Sequence, residues 1–408
     1  MFRQLVGLVL LSLAAFGLSP AQASPTDEAY ILESPPVIEF GELKNSGSTE
    51  RVDVLQPTFS GDGNRIFYDL NVDVLTNGEL DNFNVISACF FTSSAASRAS
   101  ERDSLCGYTP ENPVAAPTDP DPSLALSMAW TTDGTFRIDG TNNSHALGDS
   151  THETFETTRT VNSESITYEA HRLKFQFALS HAAINTSDWT ARVVAVSTPT
   201  LENGTKGDPQ RTEILLDANC SSSYRAQVEE TNCGPSDTYG VTFFGGFSSA
   251  TNRSVDYGSV NENSSSAVRT IPTASYYAND SATLSIAASN FIAGDDEISL
   301  STAGVGNEKN KRAITLECNA PTEDNGVGQL LLDSSPSDFF QSLPASSTEN
   351  NREQSKDAPA HTCQLHYGIG AAFANNAYQN VVEIGIRDAD TDNGPTVNAV
   401  EITPNPSP

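Results

Sequence analysis

Tyr68-Asp69-Leu70-Asn71-Val72-Asp73-Val74 is the stretch that decides the fold class. Apolar and polar residues alternate through it without a break, the period of an extended strand with one face on a core and one in water. The same period returns at Leu173, Phe175, Phe177 and Leu179, with Lys174 and Gln176 between them. It returns again at Leu284-Ser285-Ile286, and at Val382, Ile384 and Ile386 around Glu383 and Gly385. No stretch shows a sustained 3.6-residue apolar stripe with caps, so helices should be few. Clusters of Ser, Thr, Asn, Asp, Gly and Pro separate the strands. The pattern predicts an all-β chain of half-buried antiparallel sheets, packed as sandwiches.

Outward from these strands, Asp188-Trp189-Thr190-Ala191-Arg192-Val193-Val194-Ala195-Val196 reads as the closing strand of a first sandwich, with Trp189 in its core. The expected division is a leader at 1–23, a first sandwich at 24–200, a linker and stapled loop at 201–238, and a second sandwich at 239–408. Leu201 to Gln210 is polar and Gly-containing, as linkers are. Between Cys220 and Cys233, Ser221-Ser222-Ser223-Tyr224-Arg225 lacks core character. Ala115 to Ser123, with Pro117, Pro120 and Pro122, reads as an exposed loop, and Pro344 to Ala358 as a polar insertion.

Met1 to Ala23 reads as a secretory leader. Arg3 supplies the positive end, Leu5 to Leu18 the apolar run, and Ala21-Gln22-Ala23 the small-x-small cleavage site, with Ser24 as the mature start. No later segment has the ~18 consecutive apolar residues that span a bilayer. The tail, Thr403 to Pro408, is polar. These features predict a secreted chain, extracellular or at the cell surface, with no transmembrane segment once mature.

The 408 residues carry 22 Lys and Arg against 52 Asp and Glu, a formal net charge of −30. That balance argues against nucleic acid, whose phosphates need clustered cations, and against anionic membrane surfaces. The apolar share of 37% is below average but too high for a wholly disordered chain. Lysine occurs only at 44, 174, 206, 309, 311 and 356, and the acids are spread along the whole chain. A distributed acidic surface suits high salt, where screening removes self-repulsion. In this the chain resembles halophile secreted proteins, bacterial or haloarchaeal.

Six cysteines in an exported chain predict three disulfides, among 15 conceivable pairings. Order along the chain suggests Cys89–Cys106, Cys220–Cys233 and Cys318–Cys363. The last pair has further support. In Ala313 to Cys318 the even positions are apolar, and in Cys363 to Ile369 the odd ones, so both sulfurs should point into one core. No CxxC spacing suggests a zinc ribbon.

Ile38-Glu39-Phe40-Gly41-Glu42-Leu43 matches Val255-Asp256-Tyr257-Gly258-Ser259-Val260, and each is followed by a run rich in Asn and Ser. An apolar-acidic-aromatic-Gly string is a short strand whose aromatic packs inward and whose Gly permits a bend. Over about six residues per copy, these strings resemble the opening strand of immunoglobulin-like modules in prokaryotic surface proteins. The resemblance implies two tandem immunoglobulin-like sandwiches.

Candidate chemistry is sparse. In Asp388-Ala389-Asp390-Thr391-Asp392-Asn393-Gly394, the residues Asp388, Asp390 and Asp392 could converge on Ca²⁺. The string departs from an EF-hand loop, because the Gly falls one place late and Ala399 stands where a bidentate Glu belongs. A solvated acidic hairpin turn is the competing reading. Asp295, Asp296 and Glu297 read as a plain acidic loop. His361, Cys363 and His366 lie close in sequence, yet the two imidazoles fall on opposite strand faces, which disfavours joint ligation. His171 and His181 flank a strand and read as surface residues. No Gly-x-Ser-x-Gly, P-loop or G-x-G-x-x-G string occurs in a fitting context. Trp130 and Trp189 could stack on sugars, but they lie in apolar strand patterns and read as core. Sequons at Asn142, Asn185, Asn203, Asn219, Asn252, Asn263 and Asn279 are glycan acceptors if the source modifies them.

Two functional classes compete. The first is a non-enzymatic surface protein, a subunit of a filament, pilus-like fibre or surface coat, acting by self-association or contact with other surface proteins. Strand addition is one way to polymerise, and Ser24 to Pro36 is a candidate donor, but it is short and unpatterned and Pro35-Pro36 limits its pairing. The second is a secreted carbohydrate-binding or polysaccharide-degrading protein; a viral spike shares the same β-rich, acidic look.

Overall fold

The computed structural model describes residues 37–40, 43–59, 65–76, 83–95, 99–107, 121–139, 145–161, 164–198, 205, 207–208, 210–216, 238–247, 255–271, 275–321, 326–345, 355–368, 377–390 and 397–402. The expected leader, the Cys220–Cys233 pair and Asp392 lie outside these residues.

Among the described residues one helix, Ala99–Cys106, accompanies a chain of strands. The all-β expectation holds, and the strands pack as two sandwiches. Tyr68–Thr76 pairs with Glu164–Ala178 so that Leu70 meets Phe175, Val72 meets Leu173 and Val74 meets His171. Those residues all face one core, and every one of them is buried. On the other face of the same pair, Arg172 grips Asp73 with two hydrogen bonds of 2.8 Å. Val37–Phe40 and Lys44–Asn45 continue this sheet on one side, Thr151–Val161 and Ala146–Leu147 on the other.

The facing sheet is built on Phe83–Thr92, Thr186–Ser197 and Ala125–Thr131. Phe90, Trp130, Trp189 and Val193 from this sheet meet Leu70, Leu173, Phe175 and Phe177 from the first in one cluster. Truncating any of the large ones to Ala should cost about 2–5 kcal/mol, since close-packed surroundings collapse only in part.

The helix covers the outer face of that second sheet. Cys106 is joined to Cys89 on the strand beneath. Beside the bridge, buried Arg192 donates to Asp103 Oδ1 at 2.9 Å and to the Gly107 carbonyl at 2.9 Å. A buried guanidinium is tolerable only with such partners.

In the second sandwich, a sheet centred on Ala313–Asn319 and His361–Tyr367 faces one built from Ser337–Leu343, Ala282–Ala288, Val382–Asp388 and Val397–Ile402. Ile314, Leu316, Cys318, Cys363 and Leu365 share a core with Leu284, Ile286, Phe340, Ile384 and Ile386. Cys318 and Cys363 stand directly opposite each other in the ladder and are disulfide-bonded, with Cα atoms 4.1 Å apart. The bridge therefore joins neighbouring strands of one sheet.

Several expectations shift. Thr186–Ser197 closes nothing: Gln210–Leu216 and Tyr239–Val241 both pair with it. The first falls where a linker was expected. The second falls at the expected start of the second sandwich, yet Tyr239 and Val241 sit in the first core. Strand pairing outranks the polar composition of the intervening chain. Among the described strands, two pairings are parallel, Tyr239–Val241 with Val54–Leu55 and Asp296–Leu300 with Ala313–Asn319. Pro122 and Ser123, expected in an exposed loop, are buried, because Ser123 accepts from Ile184 N at 3.1 Å.

The repeated string behaves similarly in both halves, with one difference. Ile38 and Leu43 enter the first core, as Val255 and Tyr257 enter the second. Val37–Phe40 is a strand, whereas residues 255–260 form none. Gly258 has φ +73°, the left-handed conformation for which a glycine was expected there.

Candidate functional site at the junction of the two sandwiches

A connector of three residues, 242–244, leads from Tyr239–Val241 of the first sandwich to Gly245–Phe247 of the second. So short a link leaves the two bodies in contact, and the contact is built around Asn279. Its side chain is fully buried. The amide donates to the Ala183 carbonyl at 2.8 Å and to the Thr242 carbonyl at 3.0 Å. Its oxygen accepts from Phe244 N at 2.8 Å. One side chain thus joins first sandwich, connector and second sandwich. A carboxylate there could not donate, and an apolar residue would strand three buried backbone groups.

Aromatic rings fill the space beside it. His181, 1% exposed, lies with its ring 5.1 Å from Phe59, 5.7 Å from Phe244 and 4.7 Å from Tyr277. Phe59 and His181 come from the first sandwich, Tyr277 from the second and Phe244 from the connector. His181 and His171 were both expected at the surface; the structure buries them at 1% and 0%. The reason is positional. Val74 stands opposite His171 in a core-facing register, and the turn carrying His181 is capped by the second sandwich.

The acidic string reaches the same junction. Asp388 Oδ2 accepts from Asn185 Nδ2 at 3.3 Å, and Asp388 Oδ1 accepts from Asp390 N at 3.0 Å. Asp390 is exposed, and Asp392 lies outside the described residues. Both Asp388 oxygens thus serve as acceptors within the protein, one of them tying the second sandwich to the first. Among the described residues no group of three His, Cys, Asp or Glu is arranged to hold a metal ion. The calcium expectation rests on the sequence string alone.

His145, His361 and His366 are also buried, while His152 is half-buried. His145 accepts from Ser180 N at 2.9 Å through Nδ1, so Nε2 carries the proton and donates to the Pro122 carbonyl at 3.0 Å. Burial of the imidazole holds its pKa down at about 4. Burial does the same to His171, helped by the neighbouring His152, and to His361; both are held at about 4. His361 packs its ring 4.5 Å from Phe339 on the core side.

His366 is on the opposite strand face, as alternation predicts. There Ser265 Oγ lies 2.6 Å from Nδ1, and Nε2 lies 3.0 Å from Glu317 Oε2. The trio fastens three adjacent strands, Ser264–Ser265, His361–Tyr367 and Ala313–Asn319. No local motif could have found it, since the three residues are scattered through the chain. Trp130 and Trp189 are buried at 1% and 0%, which removes them as sugar-stacking platforms. Of the sequons, Asn279 and Asn185 have their amides engaged as described, while Asn263 is exposed.

No protein-family model and no curated protein matches this sequence. Among solved structures, the chain is similar to BcpA, the major pilin subunit of Bacillus cereus, at 6% identity and a TM-score of 0.21 over 90% of this chain and 66% of that one. It thus spans just under two thirds of BcpA's length. It is also similar to the 35 kDa C-terminal fragment of the major pilin GBS80 of Streptococcus agalactiae, at 7% identity and a TM-score of 0.20 over 90% of each chain. At TM-scores of this size neither fold detail nor role transfers.

Proposed function

We propose that the chain is an exported structural subunit, acting through protein–protein contact in an extracellular filament, pilus-like fibre or surface coat. The observation that carries this reading is the closed junction. Asn279, the His181 ring cluster and the Asn185–Asp388 hydrogen bond fasten two sandwiches across a three-residue connector. A subunit under tension benefits from bodies that cannot hinge, because hinging converts load into opening. The two described disulfides act in the same sense: Cys318–Cys363 limits how far a strand pair can part in the second sandwich, and Cys89–Cys106 holds the helix on its sheet in the first. The acidic surface keeps such a body soluble in high salt until it meets its partner.

Electron microscopy and sedimentation velocity of the exported chain, at rising concentration and in high salt, test the reading. Ordered assemblies are the expected result. Particles that stay strictly monomeric at millimolar concentration would overturn it.

A further inference from the structure

On the face of the second sandwich turned away from its core, Ser265, His366 and Glu317 form one hydrogen-bonded chain. Ser265 stands directly opposite His366 in the ladder, and Glu317 lies on the next strand, diagonal to the imidazole. The contacts, 2.6 Å from Ser265 Oγ to Nδ1 and 3.0 Å from Nε2 to Glu317 Oε2, assign the protons. A carboxylate can only accept, so Nε2 carries the hydrogen; Nδ1 is then bare, and the Ser265 hydroxyl donates to it. A hydroxyl held by an imidazole whose far N–H is held in turn by a carboxylate is the arrangement of an activated nucleophile. Burial separates the parts: His366 is 8% exposed, whereas Ser265 is open to solvent. The backbone beyond Ser265 also leaves the ladder. Pairing resumes at Arg269 opposite Cys363, so Ser266, Ala267 and Val268 stand against only Gln364 and Leu365. Such a bulge re-aims the side chains beside it. Ser266 is tied in, its N–H donating to the Leu365 carbonyl at 2.8 Å and its carbonyl accepting from Gln364 Nε2 at 2.8 Å. Ala267 and Val268 are exposed, and their N–H groups have no acceptor among the described residues. They are the nearest uncommitted backbone donors after the serine, the kind of group that receives a developing oxyanion.

We propose that Ser265 is a nucleophile toward small carboxylic esters, with His366 as its general base and Glu317 positioning the imidazole. The inference goes beyond the filament reading and stands independently of it. Ser265 Oγ bonds to the ester carbonyl carbon as its proton passes to His366 Nδ1. Collapse of the tetrahedral adduct breaks the bond to the alkoxy oxygen, which takes that proton and leaves as the alcohol, and the acyl group stays on Ser265. Water attacks the acyl-serine next, giving its proton to the same Nδ1; the carboxylic acid departs and the proton returns to Ser265 Oγ. The substrate class is an ester with a good leaving alcohol, because an exposed serine offers little binding energy to lower the barrier of a poor one.

Covalent labelling of the full exported chain tests the proposal. An alkyl fluorophosphonate loses fluoride to an activated serine and leaves a stable adduct, which peptide mass spectrometry locates; p-nitrophenyl acetate reports turnover. The expected result is an adduct on Ser265, absent from Ser265→Ala. Labelling should slow about a hundredfold in His366→Gln, with His366→Asn as a second variant in case the first misfolds. Glu317→Gln keeps an oxygen for the Nε2 hydrogen and removes the charge. It should slow labelling about tenfold or more at an unchanged melting temperature, which a purely structural tie would not do. No adduct on Ser265, or an equal rate in a folded His366 variant, would overturn the proposal. A chain that forms fibres and takes no adduct would overturn the nucleophile and leave the filament reading standing. A strictly monomeric chain that takes the adduct would support the nucleophile and overturn the filament reading.

Discussion

Asn279 donates a 2.8 Å hydrogen bond to the carbonyl of Ala183, a contact between residues 96 positions apart that closes the junction of the two sandwiches. Asn279→Ala strands three backbone partners in a buried place, at about 1–3 kcal/mol for each group left unsatisfied. The expected outcome is a loss of several kcal/mol and uncoupling of the two bodies. Calorimetry should show one transition in the parent and two in the variant; a single unshifted transition would show that Asn279 couples nothing. Peptide mapping by mass spectrometry should find Asn279 unglycosylated wherever the chain is made, because its amide is enclosed.

Acid should destabilise the protein earlier than its acidic composition suggests. His145, His171 and His361 are held at about 4 in the folded state by burial, against about 6.5 when unfolded. The unfolded chain therefore binds more protons between these values, so stability rises with pH across the window. It is fully present above about 6.5 and is lost as pH falls toward 4. Melting temperatures at constant ionic strength should fall through that interval. His361→Leu, which keeps an apolar contact for Phe339, should flatten the slope; an unchanged slope would assign the acid sensitivity elsewhere.

The two bridges should differ in worth. Cys318–Cys363 spans 45 residues and Cys89–Cys106 spans 17. On the loop-entropy account, removing them costs about 4 and about 3 kcal/mol respectively. Double replacement of each pair by Ala, followed by urea unfolding, measures both. An equal loss from each would count against the chain-entropy explanation.

Arg192 and Asp103 offer a sharper case. Arg192 is 1% exposed at its side chain and Asp103 23%. Removing the carboxylate with Asp103→Ala leaves a buried cation beside the helix, at a cost of about 3 kcal/mol. Replacing Arg192 by Met as well should recover much of the loss, since no unpaired charge then remains. Failure of the second change to recover stability, read from urea midpoints, would mean that the pair contributes attraction rather than mutual compensation.

Strand period made the class of fold legible. Leu70, Val72 and Val74, and Leu173, Phe175 and Phe177, declare their buried face within a few residues, because alternation is a local property. The Cys318–Cys363 pair was legible for the same reason: each sulfur follows its own strand's apolar face. The junction was not. Asn279 and Asn185 look like sequons, Asp388 like a cation ligand, and His181 like a surface residue, since each is read with its neighbours in sequence.

The sequence by itself determined an acidic, all-β chain and the Cys89–Cys106 and Cys318–Cys363 pairs, because period, charge and the order of the cysteines need no partner to be read. Only the tertiary structure decided that Tyr239 belongs to the first core, that His171 and His181 are interior, and that Asn279 bridges two bodies. Those outcomes depend on which strands lie side by side. Pairing between distant segments is selected by the burial of the whole core and the satisfaction of every buried polar group, and neither is a property of any short stretch.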